Sequence, residues 1–313
     1  YRPQEGLNVS RVQALFSFVA ENHPRSLKGL EESRAVAPAL FDEVAEKFLG
    51  WAAKVHGDDG YLPRCVDAFA MFSHDVLMSQ ARYEADGHYE NDSFAKCEEA
   101  VYGRREVMDD YLWGVFLTNF MWAHHMDITR FYKERFISKL PAAPKVVELA
   151  PGHGGWGVWM LSERPDATLH GYDVSPSSIV IASSVAEAAG VNHRVQYTRR
   201  NALDLESMPA GEADAVICSF LIEHLEEPWR LVAVISRLLK PGGRAFLTGA
   251  LTAAQVDHIY EFRRESELVL LCEQHDLRVL ETISVAPQRL LPKARFLPRS
   301  MGLLLQRRKS DMW

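Results

Sequence analysis

The stretch VVELAPGHGGWG, residues 146–157, constrains the fold of this chain more than any other. A short apolar run leads into Glu148, glycines then dominate, and an apolar pattern resumes at Val158. Because glycine permits positive φ and lets a ligand approach the backbone, this order predicts a strand, a tight turn and a helix. Phosphates, dinucleotides and adenosyl ligands all bind at such turns, so residues elsewhere in the chain are needed to indicate which of these ligands binds here.

The chain from Lys145 onward alternates short apolar runs with segments of helical periodicity. The predicted strands span Lys145–Leu149, Thr168–Asp173, Val195–Arg199, Ala213–Ser219, Gly243–Thr248, Leu277–Ile283 and Met301–Arg307, and the predicted helices span Gly157–Glu163, Ser175–Ala189, Pro228–Leu239 and Ser266–Gln274. This alternation predicts an α/β fold with a mostly parallel sheet that helices cover on both faces. Ligands of such sheets bind beyond the carboxyl ends of the strands.

The first 140 residues show apolar residues at helical spacing, and no alternating strand pattern precedes Lys145. They predict a separate all-α domain, residues 1–140, ahead of an α/β domain, residues 145–313. The segment LPAAP, residues 140–144, is the predicted boundary because its two prolines end a helix and stiffen a linker.

The segment Ser93–Leu140 is rich in aromatic residues and carries polar residues inside its apolar run. Aromatic side chains at helical spacing commonly form the packed core between helices. They also line ligand pockets, which combine apolar walls with a few placed polar groups. Both interpretations stay open for this segment. A metal site formed by His124 and His125 alone is not expected, because adjacent residues on a helix point in different directions.

The composition weighs against several classes of partner. The 313 residues carry a net charge of −7, which argues against binding to nucleic acid or to a membrane surface. No uninterrupted apolar run is long enough to span a bilayer. The four cysteines are scattered, with no CxxC pair, so reduced thiols in a cytoplasmic protein are expected.

Polar residues stand at the predicted carboxyl ends of the strands. Asp173 ends the second strand, where a carboxylate is placed to accept both hydroxyls of a ribose. NALD, residues 201–204, follows the third strand, and a carboxylate beside backbone amides there can bind the edge of an adenine. SFLIEHL, residues 219–225, closes the fourth strand, and KPGG, residues 240–243, precedes the fifth. We expect these positions to share one edge of the sheet.

The segments VVELAPGHG, GYDVSP, NALD, DAVICSFLIEHLEEP and LLKPGGRAFLTG follow one another in this order. Together they resemble the class I S-adenosylmethionine-dependent methyltransferases, and the resemblance extends over residues 145–313. It implies a Rossmann-like, seven-stranded, mostly parallel sheet whose last strand, at Met301–Arg307, is reversed. The helical first part is similar to the additions on natural-product tailoring methyltransferases, a likeness of fold that carries little information about the acceptor.

The resemblance also implies a cofactor, S-adenosylmethionine, with S-adenosylhomocysteine as its product. Glu148 matches the acid near the methionine end of the cofactor, Asp173 the ribose acid and Asp204 the adenine-side acid. Ala150 stands where the family has its first loop glycine, and we expect it to adopt a similar backbone geometry. The positions that the resemblance assigns to the cofactor are Glu148, Ala150, Gly152, Gly154, Asp173, Val174, Ala202, Leu203, Asp204, Ser219 and Phe220.

Methyl transfer needs an acceptor aligned with the methyl carbon and, for a hydroxyl or amine acceptor, a base as well. His224 follows the fourth strand and His258 follows the fifth, so both are candidate catalytic residues. A purely structural role stays open for each. The helices above are expected to supply the acceptor-binding residues Tyr102, Tyr111, Trp122 and His125.

Some relatives bind a divalent metal through a Glu-x-x-Glu-His motif after the fourth strand. In this chain Phe220 occupies the position of the first glutamate, ahead of Glu223 and His224. Because one ligand of the motif is missing, the sequence predicts that no metal is bound.

Two other functions compete with methyl transfer. A dinucleotide-dependent oxidoreductase would share the glycine-rich turn and the ribose acid, whereas the KPGG turn and the Glu-His-Leu segment favour the methyltransferase. A non-catalytic module would retain cofactor binding and lose the reaction. Among methyltransferases, the acidic charge balance favours a small-molecule or peptide acceptor over RNA. The apolar surface of the helices predicts a homodimer that forms through residues before Leu140.

Overall fold

The computed structural model describes residues 9–102 and 104–309, and its centre is a seven-stranded sheet. The strands are β1 (Lys145–Leu149), β2 (Thr168–Asp173), β3 (Val195–Arg199), β4 (Ala213–Cys218), β5 (Leu239–Leu251), β6 (Leu277–Val285) and β7 (Arg299–Arg307). Their order across the sheet is β3-β2-β1-β4-β5-β7-β6. Strands β1 to β5 are parallel, whereas β7 runs antiparallel to both β5 and β6. The predicted fold is confirmed, including the reversed last strand.

Strand β5 differs most from its predicted bounds. It begins at Leu239, beside Ala213 of β4, and continues to Leu251 rather than ending at Thr248. Its final residues pair with the start of β7, where Leu251 lies opposite Arg299. Pairing between distant segments sets the length of this strand, and local periodicity does not reveal such pairing.

The described residues before β1 are helical, as predicted. They form α1 (Arg11–Asn22), α2 (Pro24–Val36), α3 (Pro38–His56), α4 (Tyr61–Asp86), α5 (Phe94–Cys97), α6 (Arg105–Met121) and α7 (Ala123–Phe131). Ser10 caps α1 in a capping box with Gln13. Pro24 and Pro38 begin α2 and α3, because the fixed φ of proline suits the first helical position.

Four further helices connect the strands, each within two residues of its predicted bounds. They are α8 (Gly155–Glu163), α9 (Pro176–Ala188), α10 (Pro228–Leu238) and α11 (Glu265–Glu273). Across residues 9–102 and 104–309, no helix combines the length and the apolar character that crossing a bilayer requires.

One apolar core joins the helices before β1 to the sheet. The Phe48 ring of α3 packs edge-on against Trp159 of α8, with 6.4 Å between the ring centroids. The Tyr132 hydroxyl donates a hydrogen bond to the carbonyl oxygen of Trp156 at 3.0 Å. The all-α region is therefore distinct along the sequence, with β1 starting directly after the proline segment. In space it is packed together with the α/β region rather than apart from it.

The position of β1 in the sheet creates the crevice where ligands bind in folds of this kind. Its neighbours are β2 on one side and β4 on the other, so the chain leaves β1 in one direction and later returns beside it. A crevice opens beyond the carboxyl ends of the strands at such a reversal. Residues of α4, α6 and α7 cover part of it from above.

Candidate active site

The turn between β1 and α8 has a shape that glycine allows. Gly152 and Gly154 adopt positive φ values of 54° and 74°. A Cβ at Gly157 would lie 2.2 Å from Oε2 of Glu148, so glycine at this position lets α8 begin directly over that carboxylate. Ala150 has a φ of 50°, the left-handed geometry expected from the family's glycine and a costly one for alanine.

Glu148 lies beneath this turn and is 2% exposed. Its Oε1 accepts a hydrogen bond from the Gly157 amide at 3.1 Å, while Oε2 has no partner among the described residues. Burial raises the pKa of the carboxyl group well above its usual range. Glu148 therefore offers an unused acceptor to a ligand in the adjoining cavity, which it lines.

Backbone amides hold Asp173 at the end of β2. Its Oδ2 accepts from the Gly152 amide at 3.1 Å, and its Oδ1 accepts from the Ser175 amide at 2.9 Å. Burial raises the pKa of this carboxyl group to about 6, although the same amides act in the opposite direction. A carboxylate has about four acceptor positions, so both oxygens can still accept hydroxyl groups from a ligand.

A cleft of about 190 Å³ opens beside this carboxylate, beyond the ends of β2 and β3. Its walls are mostly apolar, and the predicted cofactor residues among them are Ala150, Asp173, Val174, Ala202 and Leu203. A buried carboxylate next to aliphatic walls suits a nucleoside, whose ribose hydroxyls are donors and whose base has apolar faces.

A larger cavity of about 460 Å³ begins on the other side of Ala150 and runs beneath the helices. The predicted site residues in its wall are Tyr111, Trp122, His125, Glu148, Ala150, Gly152, Ser219, Phe220, His224 and His258. The wall is mainly apolar with a few polar groups, as is typical of ligand pockets. Ala150 lines both the cleft and the cavity, so the two spaces lie on either side of this residue.

Three predicted site residues line neither space. Asp204 is exposed, and Asn201 lines the cleft in its place, with its Oδ1 accepting from the backbone amide two residues further on at 2.9 Å. Gly154 packs against α9, where an added Cβ would meet Ala182 at 2.8 Å. Tyr102 lies behind the wall of the cavity and contacts a residue of the wall rather than the space itself.

The upper wall of the cavity consists of stacked rings. Phe220 has a φ of 50°, and its amide donates to Oγ1 of Thr248 at 2.9 Å. Its ring stacks on His125, with 5.0 Å between centroids and 18° between planes. Trp122 stacks in the same way on His124. Burial lowers the pKa of both histidines, that of His124 to about 4, so both are neutral at physiological pH.

The opposite wall carries a compact group of Glu223, His224 and His258, which we call the Glu–His–His cluster. One potential ligand atom from each residue lies within 4.8 Å of the others. The two imidazole rings are perpendicular, with 4.8 Å between their centroids. The structure thus unites the two histidines predicted from separate strand ends. It adds Glu223, which the sequence analysis did not assign to the site.

Hydrogen bonds determine which nitrogen of each histidine carries the hydrogen. Nδ1 of His224 lies 2.9 Å from the carbonyl oxygen of Asp257, and Nδ1 of His258 lies 2.7 Å from that of Ala253. Because a carbonyl oxygen only accepts, both Nδ1 atoms are donors, and the tautomer that each ring adopts in its neutral form has its lone pair on Nε2. Burial lowers the pKa of His258 to about 3, which makes it a poor proton acceptor at neutral pH.

Two buried carboxyl groups stand beside these rings. Both oxygens of Glu223 and Oδ1 of Asp257 lack a hydrogen-bond partner within the described part of the chain. Oδ2 of Asp257 accepts from the Tyr102 hydroxyl at 3.0 Å and lies 3.5 Å from Nδ1 of His224. Burial raises the pKa of Glu223 to about 7. Unpartnered buried carboxyl groups are energetically costly, so a functional reason for them is to be expected.

The loop after β5 is held in place by the helical region. Gln80 of α4 donates to the carbonyl oxygen of Thr252 at 3.2 Å and accepts from the Ala254 amide at 2.9 Å. Asn91 donates to the carbonyl oxygen of Val256 at 2.6 Å. The helices therefore do more than cover the cavity, because they also position the loop that supplies the second histidine of the cluster.

His153 is a cavity residue that the sequence analysis overlooked. It is almost completely buried, and its Nδ1 accepts from the Gly155 amide at 2.9 Å. Burial lowers its pKa to about 3. Its position among the glycines of a turn that was already expected to contact a ligand could have identified it from the sequence.

Comparison with known proteins agrees with this geometry. A family model described as a methyltransferase domain matches residues 147–245, from β1 into β5. The ubiquinone biosynthesis O-methyltransferase of Xanthomonas axonopodis pv. citri is 32% identical over 111 residues, which cover 34% of this chain and 44% of that protein. The protein of the same name from Aromatoleum aromaticum is 28% identical over 167 residues, 46% of this chain and 68% of that protein. The chain thus spans less than half of the first relative.

Solved structures share the fold at low sequence identity. An O-methyltransferase family protein from Burkholderia thailandensis has a TM-score of 0.56 at 16% identity, over 78% of this chain and 72% of that chain. The [4+2]-cyclase SpnF has a TM-score of 0.50 at 16% identity, over 76% of this chain and 94% of that chain. Because one of the two is named a cyclase, the fold by itself does not specify the reaction.

Proposed function

Because residues 147–245 form a methyltransferase domain of the class I S-adenosylmethionine-dependent family, we propose that this protein transfers a methyl group from that cofactor to a small or medium-sized, partly apolar acceptor. The observation that carries the proposal is the position of Ala150, which lines both the cleft and the cavity and so places the two spaces side by side. A nucleoside in the cleft would have its reactive end at the mouth of the larger cavity.

The residues present fit the cofactor. Asp173 has free acceptor positions for the ribose hydroxyls, and Ala202 and Leu203 flank the space for the base. Glu148 has an unpartnered oxygen on the side where the methionine part would lie, and Ser219 and Phe220 close that side. When bound, S-adenosylmethionine supplies an electrophilic methyl group on a sulfonium.

The larger cavity is the proposed acceptor site. Tyr111, Trp122 and His125 contact the acceptor from above, and His224 and His258 contact its reacting group from below. The apolar walls exclude water, and alignment of the nucleophile with the methyl carbon can supply much of the rate. In the reaction a lone pair of the acceptor forms the bond to carbon, the carbon–sulfur bond breaks toward sulfur, and an acceptor hydroxyl or amine loses its proton to solvent.

The names of the relatives favour an oxygen acceptor. Because the cavity is mainly apolar and holds about 460 Å³, we propose a small molecule rather than a peptide as acceptor. Natural-product biosynthesis is proposed by analogy with the helical additions on tailoring methyltransferases. All four cysteines are buried free thiols, which suits the reducing cytoplasm that we propose as its location.

We also propose a homodimer that forms through the helical region. Met71 and Met78 of α4 are seven residues apart and lie on the same face of the helix, 60% and 44% exposed. Apolar side chains that are exposed on one face favour association with a second copy. Light scattering at micromolar concentration measures the mass, and a monomer would contradict the proposal.

Calorimetry with S-adenosylhomocysteine and with NAD, followed by transfer assays with a radiolabelled methyl donor, tests the proposed reaction. We expect stoichiometric binding of S-adenosylhomocysteine, no binding of NAD, and labelled product from a panel of phenols and hydroxy acids. Binding of NAD instead would indicate an oxidoreductase. Binding of S-adenosylhomocysteine without transfer to these acceptors or to short peptides would indicate a non-catalytic module.

A further inference from the structure

The Glu–His–His cluster has the composition of a cation site. Glu223, His224 and His258 are 0%, 7% and 3% exposed, and they offer three ligand atoms within 4.8 Å of one another. The expectation of no metal rested on Phe220, which stands where relatives have a glutamate. The structure supplies a third ligand from the loop after β5, and spacing along the sequence does not show this.

Both histidines are prepared to act as neutral ligands. Each Nδ1–H is held by a backbone carbonyl oxygen, of Asp257 for His224 and of Ala253 for His258, so the lone pair of each ring is on Nε2. Histidines that bind metals generally donate their other ring N–H to a carbonyl or carboxylate oxygen, which sets both the tautomer and the orientation of the ring. The Asp257 carboxylate and the Tyr102 hydroxyl add a second layer of contacts behind His224.

Two buried carboxyl groups, one in the cluster and one directly behind it, lie without a basic partner. Glu223 is fully buried, and neither of its oxygens has a hydrogen-bond partner among the described residues. Asp257 is equally buried, with one oxygen unpartnered. Within residues 9–102 and 104–309, no lysine or arginine forms an ion pair with either group. Carboxylates are rarely buried in this way unless they are paired or bind a metal.

We propose that the Glu–His–His cluster binds one divalent first-row metal ion, of the Fe²⁺, Mn²⁺ or Zn²⁺ type, through the Glu223 carboxylate and Nε2 of His224 and His258. Two imidazole ligands disfavour Mg²⁺ and Ca²⁺, which prefer oxygen. Three protein ligands leave coordination positions open, as is typical of catalytic rather than structural metal sites. All three residues line the acceptor cavity, so the open positions face it.

The role of this ion in the reaction rests on the proposed function, whereas its binding does not. A bound cation lowers the pKa of an oxygen that coordinates it and fixes the position of that oxygen. The site therefore favours acceptors with two neighbouring oxygen donors, such as a catechol or a hydroxy acid. The proton of the reacting hydroxyl leaves to solvent before the oxygen attacks the methyl carbon and the carbon–sulfur bond breaks.

Titration with Co²⁺ tests the binding. The protein is first dialysed against a chelator, and the visible absorption of Co²⁺ is then followed as the ion is added. We expect one ion per chain. The variants Glu223→Gln and His258→Ala should lower the affinity by at least the ~10–100-fold that loss of a supporting contact causes. His275→Ala is the matched control, because His275 also donates Nδ1–H to a backbone carbonyl but lies outside the cavity, and its affinity should match the wild type.

Proton NMR of the wild-type Co²⁺ complex gives a second reading that does not depend on the folding of any variant. Coordination through both Nε2 atoms predicts two exchangeable, strongly shifted signals from the two Nδ1–H groups. Absence of stoichiometric Co²⁺ binding, equal affinity in all variants, or a complex without these signals would overturn the proposal. Binding of S-adenosylhomocysteine is measured on the same samples, so failure of the metal site is distinguishable from failure of the proposed methyl transfer.

Discussion

The ribose side of the cofactor cleft and the acceptor end differ in how far their polar groups are satisfied by the protein alone. On the ribose side, both oxygens of Asp173 accept backbone amides and Asn201 accepts the amide of Leu203, whereas Oε2 of Glu148, nearer the cavity, has no partner among the described residues. At the acceptor end, Glu223 has no partner for either oxygen and Asp257 has one for only one of its two, among the described residues. Asp173, Glu223 and Asp257 are all buried, so burial alone does not explain the difference.

This difference indicates which part of the site needs a bound ligand to satisfy its buried polar groups. The ribose side is held by amides of the turns after β1 and β2, among them that of Gly152, 21 residues before Asp173, so this carboxylate has partners without a ligand. The acceptor end joins loops after β4 and β5 and leaves buried carboxyl oxygens without donors. Since such groups cost free energy, we infer that the proposed acceptor end retains them because they bind a cation or an acceptor.

Removal of either histidine of the cluster should produce the largest change. His224→Ala and His258→Ala each lose a group that faces the acceptor, and we expect the rate of transfer to fall ~10²–10⁴-fold, the range for a side chain that acts on the reacting group. Single-turnover transfer measures the rate, and the affinity for S-adenosylhomocysteine should stay within about twofold. If both variants transfer methyl at near-normal rates, alignment of the acceptor in the cavity, and not either histidine, accounts for catalysis.

Removal of the ribose acid should produce the next largest change, at the other end of the site. Asp173→Ala loses charge-assisted hydrogen bonds to two hydroxyls, worth about 2–3 kcal/mol, so the affinity for S-adenosylhomocysteine should fall ~30–150-fold. Asp204→Ala is the control, because the structure turns this residue to solvent although the sequence resemblance places it at the adenine. If calorimetry finds Asp204→Ala the weaker binder, the structural assignment is wrong.

Cofactor binding should depend on pH through the same aspartate. Burial raises the pKa of Asp173 to about 6, and the charged form accepts the two hydroxyls, so protonation competes with the ligand. The affinity for S-adenosylhomocysteine should therefore decrease as the pH falls through 6, by up to about tenfold per pH unit. Calorimetry across this range measures the slope. Asp173→Asn should show a flat profile, and a flat profile in the wild type would contradict the argument.

A substitution in the turn after β1 should have the smallest effect, a change in the free energy of unfolding. Ala150 adopts a φ of 50°, which costs an alanine about 1–2 kcal/mol, whereas glycine adds flexibility to the unfolded chain worth about 0.4–1 kcal/mol. Ala150→Gly should therefore raise the free energy of unfolding by roughly 0.5–1 kcal/mol, with unchanged cofactor affinity. Urea denaturation measures it, and a lower free energy of unfolding would show that the turn is unstrained.

How well the sequence predicts each end follows from the same contrast. Strands β1 to β4 and the carboxylate of Asp173 could be predicted because they lie in short segments whose order along the chain indicates the fold and the cofactor. Asp204 lies outside the cleft because the turn that begins at Asn201 orients it, a detail of a few dihedral angles. His224 and His258 could be predicted singly, but their contact with each other and with Glu223 could not, because Gln80 binds the loop at Ala254, 174 residues away in sequence. Periodicity and spacing do not report contacts over such distances.

Tyr102 illustrates the same limit within the helical region. Its aromatic character suggested a place in the acceptor wall, but its hydroxyl lies 3.0 Å from Nδ1 of His224 and donates to Asp257. The sequence indicates that the segment is rich in rings. Which rings face the cavity depends on how the helices pack, and among the predicted residues Tyr111, Trp122 and His125 do so.

A crystal structure of the complex with S-adenosylhomocysteine tests the central claim most directly. We predict the ribose hydroxyls on Asp173, the base beside Ala202 and Leu203, and the sulfur at the junction of cleft and cavity near Ala150. The Glu–His–His cluster should then face the sulfur across the acceptor space. A nucleoside bound elsewhere, or a sulfur directed away from the larger cavity, would contradict the account of this protein as a methyltransferase whose acceptor lies beneath the helices.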